Sequence, residues 1–117
     1  MNSILVLINK APYGRENALG ALYVVIACLD KEFDADVLLL DDGVYAALDN
    51  QNSESTINYP NISELMYSIF PQGNIFVHID SLIQRGLDYP DLIDIVEIVD
   101  DNALYEIVKS KSKVITI

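Results

Sequence analysis

Short, unbroken aliphatic runs separated by helix-length segments constrain this chain more than any other feature. Ser3 to Ile8 reads SILVLI, Asp36 to Leu40 DVLLL, Asn74 to Ile79 NIFVHI and Lys113 to Ile117 KVITI, with a further run from Ile93 to Val99. A strand with one wet face alternates apolar and polar residues, whereas a strand covered on both faces does not need to. Between the runs lies helical patterning. From Arg15 to about Glu32, residues Leu19, Leu22, Val25, Ile26 and Leu29 recur at spacings of three and four, with Lys31 near the end where a cation suits the helix dipole. Val44 to Leu48 reads as a helical turn, Ile62 to Phe70 as a helix, and Ser81 to Arg85 as a short helix stopped by Gly86. Asn102 to Lys109 forms the last helix, with Leu104, Ile107 and Val108 inward. Asn9 to Gly14 is a turn broken by Pro12 and Gly14, and Asp49 to Pro60, almost without apolar residues, is expected to be a mobile loop. Strands alternating with helices predict an open, mostly parallel five-stranded sheet. Right-handed crossovers then place helices on both faces, in a flavodoxin-like, three-layer α/β arrangement.

Composition narrows the functional classes. The 117 residues, 51% of them hydrophobic, are enough for one domain over residues 1–117 that closes its own core. Cys28 is the only cysteine, so an intrachain disulfide is excluded and no cysteine cluster exists to hold a metal. The N-terminal MNSILVLINK has no basic flank and no small-residue cleavage site, and no apolar stretch nears the roughly 18 residues a membrane span needs. These features predict a cytoplasmic protein without membrane association. A net charge of −11 sets a repulsive surface against nucleic acid, so direct binding to it is not expected; a basic protein partner would be attracted.

Few side chains carry candidate chemistry. Cys28 falls within the long helix, away from a helix N-terminus or a cation that would stabilise its thiolate, and reads as a packing residue. His78 is the only histidine and stands at a strand end, where open α/β sheets usually bind ligands. Asp80, two residues on, points to the same side if the strand continues, and such a carboxylate would orient the ring. With no second histidine for a metal and no nucleophile for a triad, a ring satisfied by a carbonyl or a neighbouring subunit is the simpler reading. Asp41 and Asp42 project to opposite sides of a strand, which disfavours a shared Mg²⁺; Asp42-Gly43 reads instead as a turn that caps the helical segment after it. Asn9, Tyr13 and Gly14 line the loop after the first strand, but no phosphate-binding glycine motif is present. The candidate pocket is therefore Asn9, Tyr13, Gly14, Asp42, His78, Asp80 and Ser81, with no metal and no cofactor expected. Tyr45, Tyr59, Tyr67, Tyr89 and Tyr105 lie outside the central strands, where tyrosine suits a protein interface.

Three segments in order carry a family resemblance: Ala11-Pro12-Tyr13-Gly14-Arg15-Glu16, Leu39-Leu40-Asp41-Asp42-Gly43-Val44, and His78-Ile79-Asp80-Ser81-Leu82-Ile83-Gln84-Arg85-Gly86-Leu87. Together with the C-terminal βαβ unit, they make the chain resemble the DsrE/DsrF/TusC family of sulfur-relay proteins over essentially its whole length, and most of all the DsrF/TusC branch. The resemblance implies an oligomer, homomeric or mixed, with DsrE/TusD-like and DsrH/TusB-like subunits. It also implies a place in persulfide transfer toward tRNA thiolation or sulfur oxidation. Sulfur-carrying members use a cysteine near the end of the third strand, and counting back from Gly86 places His78 at that position. Imidazole cannot hold sulfane sulfur, so the resemblance points to a non-catalytic subunit beside a partner's cysteine. Two other readings stand beside it: a sulfurtransferase working through Cys28, and a stand-alone DsrE-like homo-oligomer that binds a small molecule.

Overall fold

The structure, a computed structural model, describes residues 3–11, 17–48 and 62–117. Five strands, β1 (Ser3–Ile8), β2 (Asp34–Leu39), β3 (Ile75–His78), β4 (Val96–Val99) and β5 (Lys113–Thr116), form one sheet in the order β4-β3-β2-β1-β5. Every pairing is parallel. The helices are α1 (Asn17–Asp30), α2 (Ile62–Ile69), α3 (Ile79–Gln84) and α4 (Asp101–Ser110), with 3₁₀ helices at Asp41–Ala47 and Tyr89–Asp91.

Strand order decides which face each helix covers. The first three crossovers all step in one direction across the sheet, and right-handedness then puts their helices on one side. The larger core lies there: Ala21, Leu22 and Val25 of α1, Met66 and Ile69 of α2, Val44 and Ala47 of the 3₁₀ helix, and Leu82 of α3 pack on Val6, Ile8, Val37, Leu39 and Val77. The last crossover returns past β1, so α4 covers the opposite face. Its Ala103, Leu104, Ile107 and Val108 pack on Leu5, Leu38, Phe76 and Val99. Each fully buried Leu, Ile or Val contributes about 1.5–3 kcal/mol relative to exposure.

Several expected boundaries shift. The fourth strand begins at Val96 rather than Ile93, because Asp94 and Ile95 form a turn and Ile93 donates its N–H to the Ala47 carbonyl at 2.9 Å. The third strand ends at His78 and α3 starts at Ile79, not Ser81. Helix α1 ends at Asp30, so Lys31 follows the helix instead of sitting in its last turn. Asp42 does not cap the segment after β2. Leu40 is the cap residue, without a side-chain hydrogen bond, and Asp42 lies inside the 3₁₀ helix. Gly43 is needed there because a Cβ would overlap the Ile8 carbonyl, and Asp41 enters the turn with φ of 51°. Gly86, at φ 68°, stops α3 as its position predicts. Tyr13, Gly14, Tyr59 and the loop from Asp49 to Pro60 lie outside the described residues.

Sequence patterning did not reveal one buried charge pair. Asp36 is 6% exposed on the α4 side of the sheet. It accepts the Asn74 N–H at 2.7 Å and pairs with Lys111, which follows α4. The pair fastens the chain leaving α4 to the middle of the sheet just before β5.

Candidate functional site

The carboxyl ends of β2, β3 and β4 meet at a polar cluster centred on His78. Because β3 and β4 are parallel with His78 opposite Val99, the first residues of α3 and α4 emerge side by side. Asp100 caps α4 by accepting the Ala103 N–H at 2.8 Å, which leaves the next residue, Asp101, free to face the histidine. Asp101 Oδ1 lies 2.7 Å from His78 Nε2, and Ser81 Oγ lies 2.9 Å from His78 Nδ1. Ser81 Oγ also accepts the Asp41 N–H at 2.9 Å. Hydroxyl, imidazole and carboxylate thus join three strand ends in one chain of hydrogen bonds.

The chain has a direction. A carboxylate only accepts, so Nε2 carries the proton it donates to Asp101. In the neutral ring Nδ1 is then an acceptor, and it takes the Ser81 hydroxyl proton while Ser81 Oγ accepts from the Asp41 amide. Each of these groups is satisfied with no competing donors. Asp80 does not orient the ring, contrary to expectation. The strand ends at His78, so residue 80 is already in the helix and the orienting carboxylate comes from the neighbouring crossover.

Serine, histidine and aspartate in one chain invite comparison with a hydrolase triad, and the structure does supply the hydroxyl that sequence reasoning lacked. Its geometry is unsuited to attack. Ser81 is only 3% exposed, and its oxygen is already held by the Asp41 amide. An acyl-transfer nucleophile needs an accessible oxygen with an attack path. Ser81 fixes the ring instead.

Asp42 joins the cluster from the other side. Arg85 donates from Nε and from a terminal nitrogen to Asp42 Oδ1, at 3.1 and 3.0 Å, and from its other terminal nitrogen to the Ser81 carbonyl at 3.2 Å. The guanidinium therefore ties the 3₁₀ helix to α3. Asn9, at the end of β1, packs its backbone near Gly43 and stands two strands from His78. Reversal of strand order falls between β1 and β5, whereas the polar network gathers at β2 to β4. Of the expected pocket, His78, Ser81, Asp80 and Asp42 come together; Asn9 lies apart, and Tyr13 and Gly14 lie outside the described residues. Arg85 and Asp101 were missed. Asp101 had a readable signal, because adjacent parallel strands bring the residues after both to one edge.

Cys28 is half-buried on α1 and packs against the larger core. Tyr67, Tyr89 and Tyr105 are exposed, as are Ile79 and Ile83 one turn apart on α3. No described helix is long and apolar enough to cross a membrane.

Known proteins resemble this chain over most of its length. The DsrE/DsrF-like family model matches residues 2–117. The intracellular sulfur oxidation protein DsrF of Allochromatium vinosum is 36% identical over 97 residues, covering 81% of this chain and 71% of that protein. A protein TusC homolog of Pseudomonas aeruginosa is 26% identical over 117 residues, 98% of each chain. Among solved structures, the ychN protein from E. coli superposes with a TM-score of 0.89 at 29% identity over all of both chains.

Proposed function

The chain belongs to the DsrE/DsrF-like family, and from that premise we propose that it serves as a non-catalytic, DsrF/TusC-like subunit of a sulfur-relay complex. It completes an interface and shapes the surroundings of a partner's persulfide cysteine on the way to tRNA thiolation or sulfur oxidation. One observation carries the reading. At the strand end where sulfur-carrying members of the family place a cysteine, this chain has His78, with both ring nitrogens engaged by Ser81 and Asp101. A persulfide requires a thiolate, and Cys28 on α1 is a half-buried core neighbour, not a nucleophile at a strand end. The fold is kept while the sulfur-carrying group is not.

Two surface features support assembly. Exposed Ile79 and Ile83 continue from the His78 strand end along α3, and exposed Tyr67, Tyr89 and Tyr105 offer the amphipathic contacts typical of protein interfaces. The partners proposed are DsrE/TusD-like and DsrH/TusB-like subunits, and the chain's own charge of −11 favours a basic docking face on them. The test is the native mass of the purified protein, alone and mixed with those subunits. A stable mixed complex, with sulfur loaded on the partner's cysteine and none on this chain, is expected. A homo-oligomer that ignores both partners would overturn the reading in favour of a stand-alone binding protein. Sulfur recovered on Cys28 would overturn it in favour of a sulfurtransferase.

A further inference from the structure

Beyond the relay role, we propose that His78, Asp80 and Asp101 form a binding site for a divalent transition-metal ion of the zinc type. One imidazole nitrogen and one oxygen from each carboxylate lie within 4.8 Å of one another. Zinc bonds of about 2.0–2.2 Å bring tetrahedral ligands to roughly 3.3–3.6 Å apart. Asp101 Oδ1 is hydrogen-bonded to Nε2 at 2.7 Å, and because its side chain is 77% exposed it can open to ligand distance as an ion replaces the shared proton. Asp80, also exposed, already offers an oxygen inside the same cluster. Three protein ligands leave a fourth position for water, and the N1O2 donor set suits borderline ions better than Mg²⁺.

Carboxylates at helix starts are common, and Asp80 and Asp101, in the first turns of α3 and α4, would each be explained by the helix dipole alone. That explanation leaves out the ring between them. His78 is gripped from within by buried Ser81, itself held by the Asp41 amide, so Nε2 faces Asp101 at 2.7 Å, with a carboxylate oxygen of Asp80 inside the same 4.8 Å cluster. Metal-binding histidines characteristically donate their second ring N–H to a fixed acceptor, a role that Ser81 Oγ takes once the ring changes tautomer. On binding, Nε2 gives its lone pair to the ion and the ring proton resides on Nδ1, which donates to Ser81 Oγ, while the Ser81 hydroxyl rotates its own proton away from the ring. The ring thus changes tautomer on binding. Two carboxylates outweigh the partial positive charge of the two helix ends, and the −11 surface concentrates cations nearby.

Titration calorimetry with Zn²⁺ on chelator-stripped protein, paired with ¹⁵N NMR of the imidazole, tests the site. His78 is the only histidine, so the ring signals need no assignment. One Zn²⁺ per chain is expected, with the proton moving from Nε2 to Nδ1. Cys28→Ser and Asp30→Asn are expected to bind as the wild type does. Asp101→Asn, a change at an exposed side chain, and Asp80→Asn are expected to weaken binding about 10-fold or more, and Ser81→Ala about 10–100-fold through loss of ring positioning. Undiminished binding in His78→Ala and Asp101→Asn, loss of binding in Cys28→Ser, or an unchanged tautomer would each overturn the proposal. The readouts are independent of sulfur transfer and of complex formation, so failure here leaves the relay reading standing.

Discussion

Replacing Ser81 by alanine separates the positioning role of this hydroxyl from simple packing. The side chain is 3% exposed, and its oxygen accepts the Asp41 N–H while its proton goes to His78 Nδ1. Removing it costs little volume but strands two polar groups. The ring nitrogen, on a half-buried side chain, regains a water. The Asp41 amide, part-buried and fixed at φ 51° in the turn after β2, cannot follow it. A buried donor left without a partner costs about 1–3 kcal/mol, so about 2 kcal/mol is expected here. At about 4 °C per kcal/mol for a chain of this size, the melting temperature falls by about 8 °C. Asp101→Asn is the contrast: at an exposed position it stays within about 0.5 kcal/mol of the wild type. Thermal melting followed by circular dichroism reads the stability. ¹⁵N NMR of the single imidazole reads the tautomer, expected as Nε2–H in the wild type and as a tautomer mixture in Ser81→Ala. A wild-type ring protonated on Nδ1 alone, or a Ser81→Ala variant melting within about 2 °C of the parent, would refute the directional network.

Two further outcomes test the frame that holds the site. Lys111→Met leaves Asp36 charged and buried with only the Asn74 amide for company, which is expected to cost about 3 kcal/mol in urea unfolding. Asp36→Asn with Lys111→Met keeps an acceptor for that amide and removes both charges, so the double variant should regain most of the loss; additive losses would rule out a coupled pair. Gly43→Ala pushes a methyl against the Ile8 carbonyl where the 3₁₀ helix crosses the end of β1, and should lower stability by about 1–3 kcal/mol; a neutral result would show that this approach is looser than the structure has it.

Aliphatic runs and helical spacing were enough to read the sheet, because a strand buried on both faces and a one-sided helix leave different periodicities. The face each helix covers was not readable until strand order was known, since right-handedness converts order into side. Boundaries failed where polar chemistry ends an apolar run: His78 ends β3 because its ring is drawn to Ser81 and Asp101, although Ile79 continues the aliphatic pattern. Asp-Gly after a strand usually caps the segment that follows, which is why the sequence predicts a cap at Asp42. What that pattern omits is Arg85, 43 residues later, which claims the carboxylate. Asp36 was invisible for a related reason. An acidic residue opening DVLLL looks like a strand's solvated start, and only the distant Lys111 makes its burial tolerable.

If the proposed non-catalytic role resides in His78 alone, placing a thiol there should expose how far its surroundings also suit or oppose a sulfur carrier. In a Cys28→Ser background, His78→Cys places a thiol at the end of β3, near the carboxylates of Asp80 and Asp101. Both oppose the thiolate, since a nearby like charge disfavours the ionised form. Helix α3 opposes them only weakly, being one and a half turns long. For an exposed carboxylate, with water between the charges, the interaction at about 4 Å is about 1 kcal/mol, or roughly a fivefold change in thiolate population. Alkylation of His78→Cys near neutral pH should therefore be slow, and adding Asp101→Asn should speed it by about fivefold at low salt. The gain should shrink as salt screens the exposed charge. Equal rates with and without Asp101 would mean that the carboxylate does not govern this position, and that His78→Cys alone recovers what a sulfur carrier needs. A fivefold, salt-sensitive gain would mean that the acidic strand ends suit an imidazole and work against a thiolate, so that the neighbours as well as His78 itself support the proposed non-catalytic role.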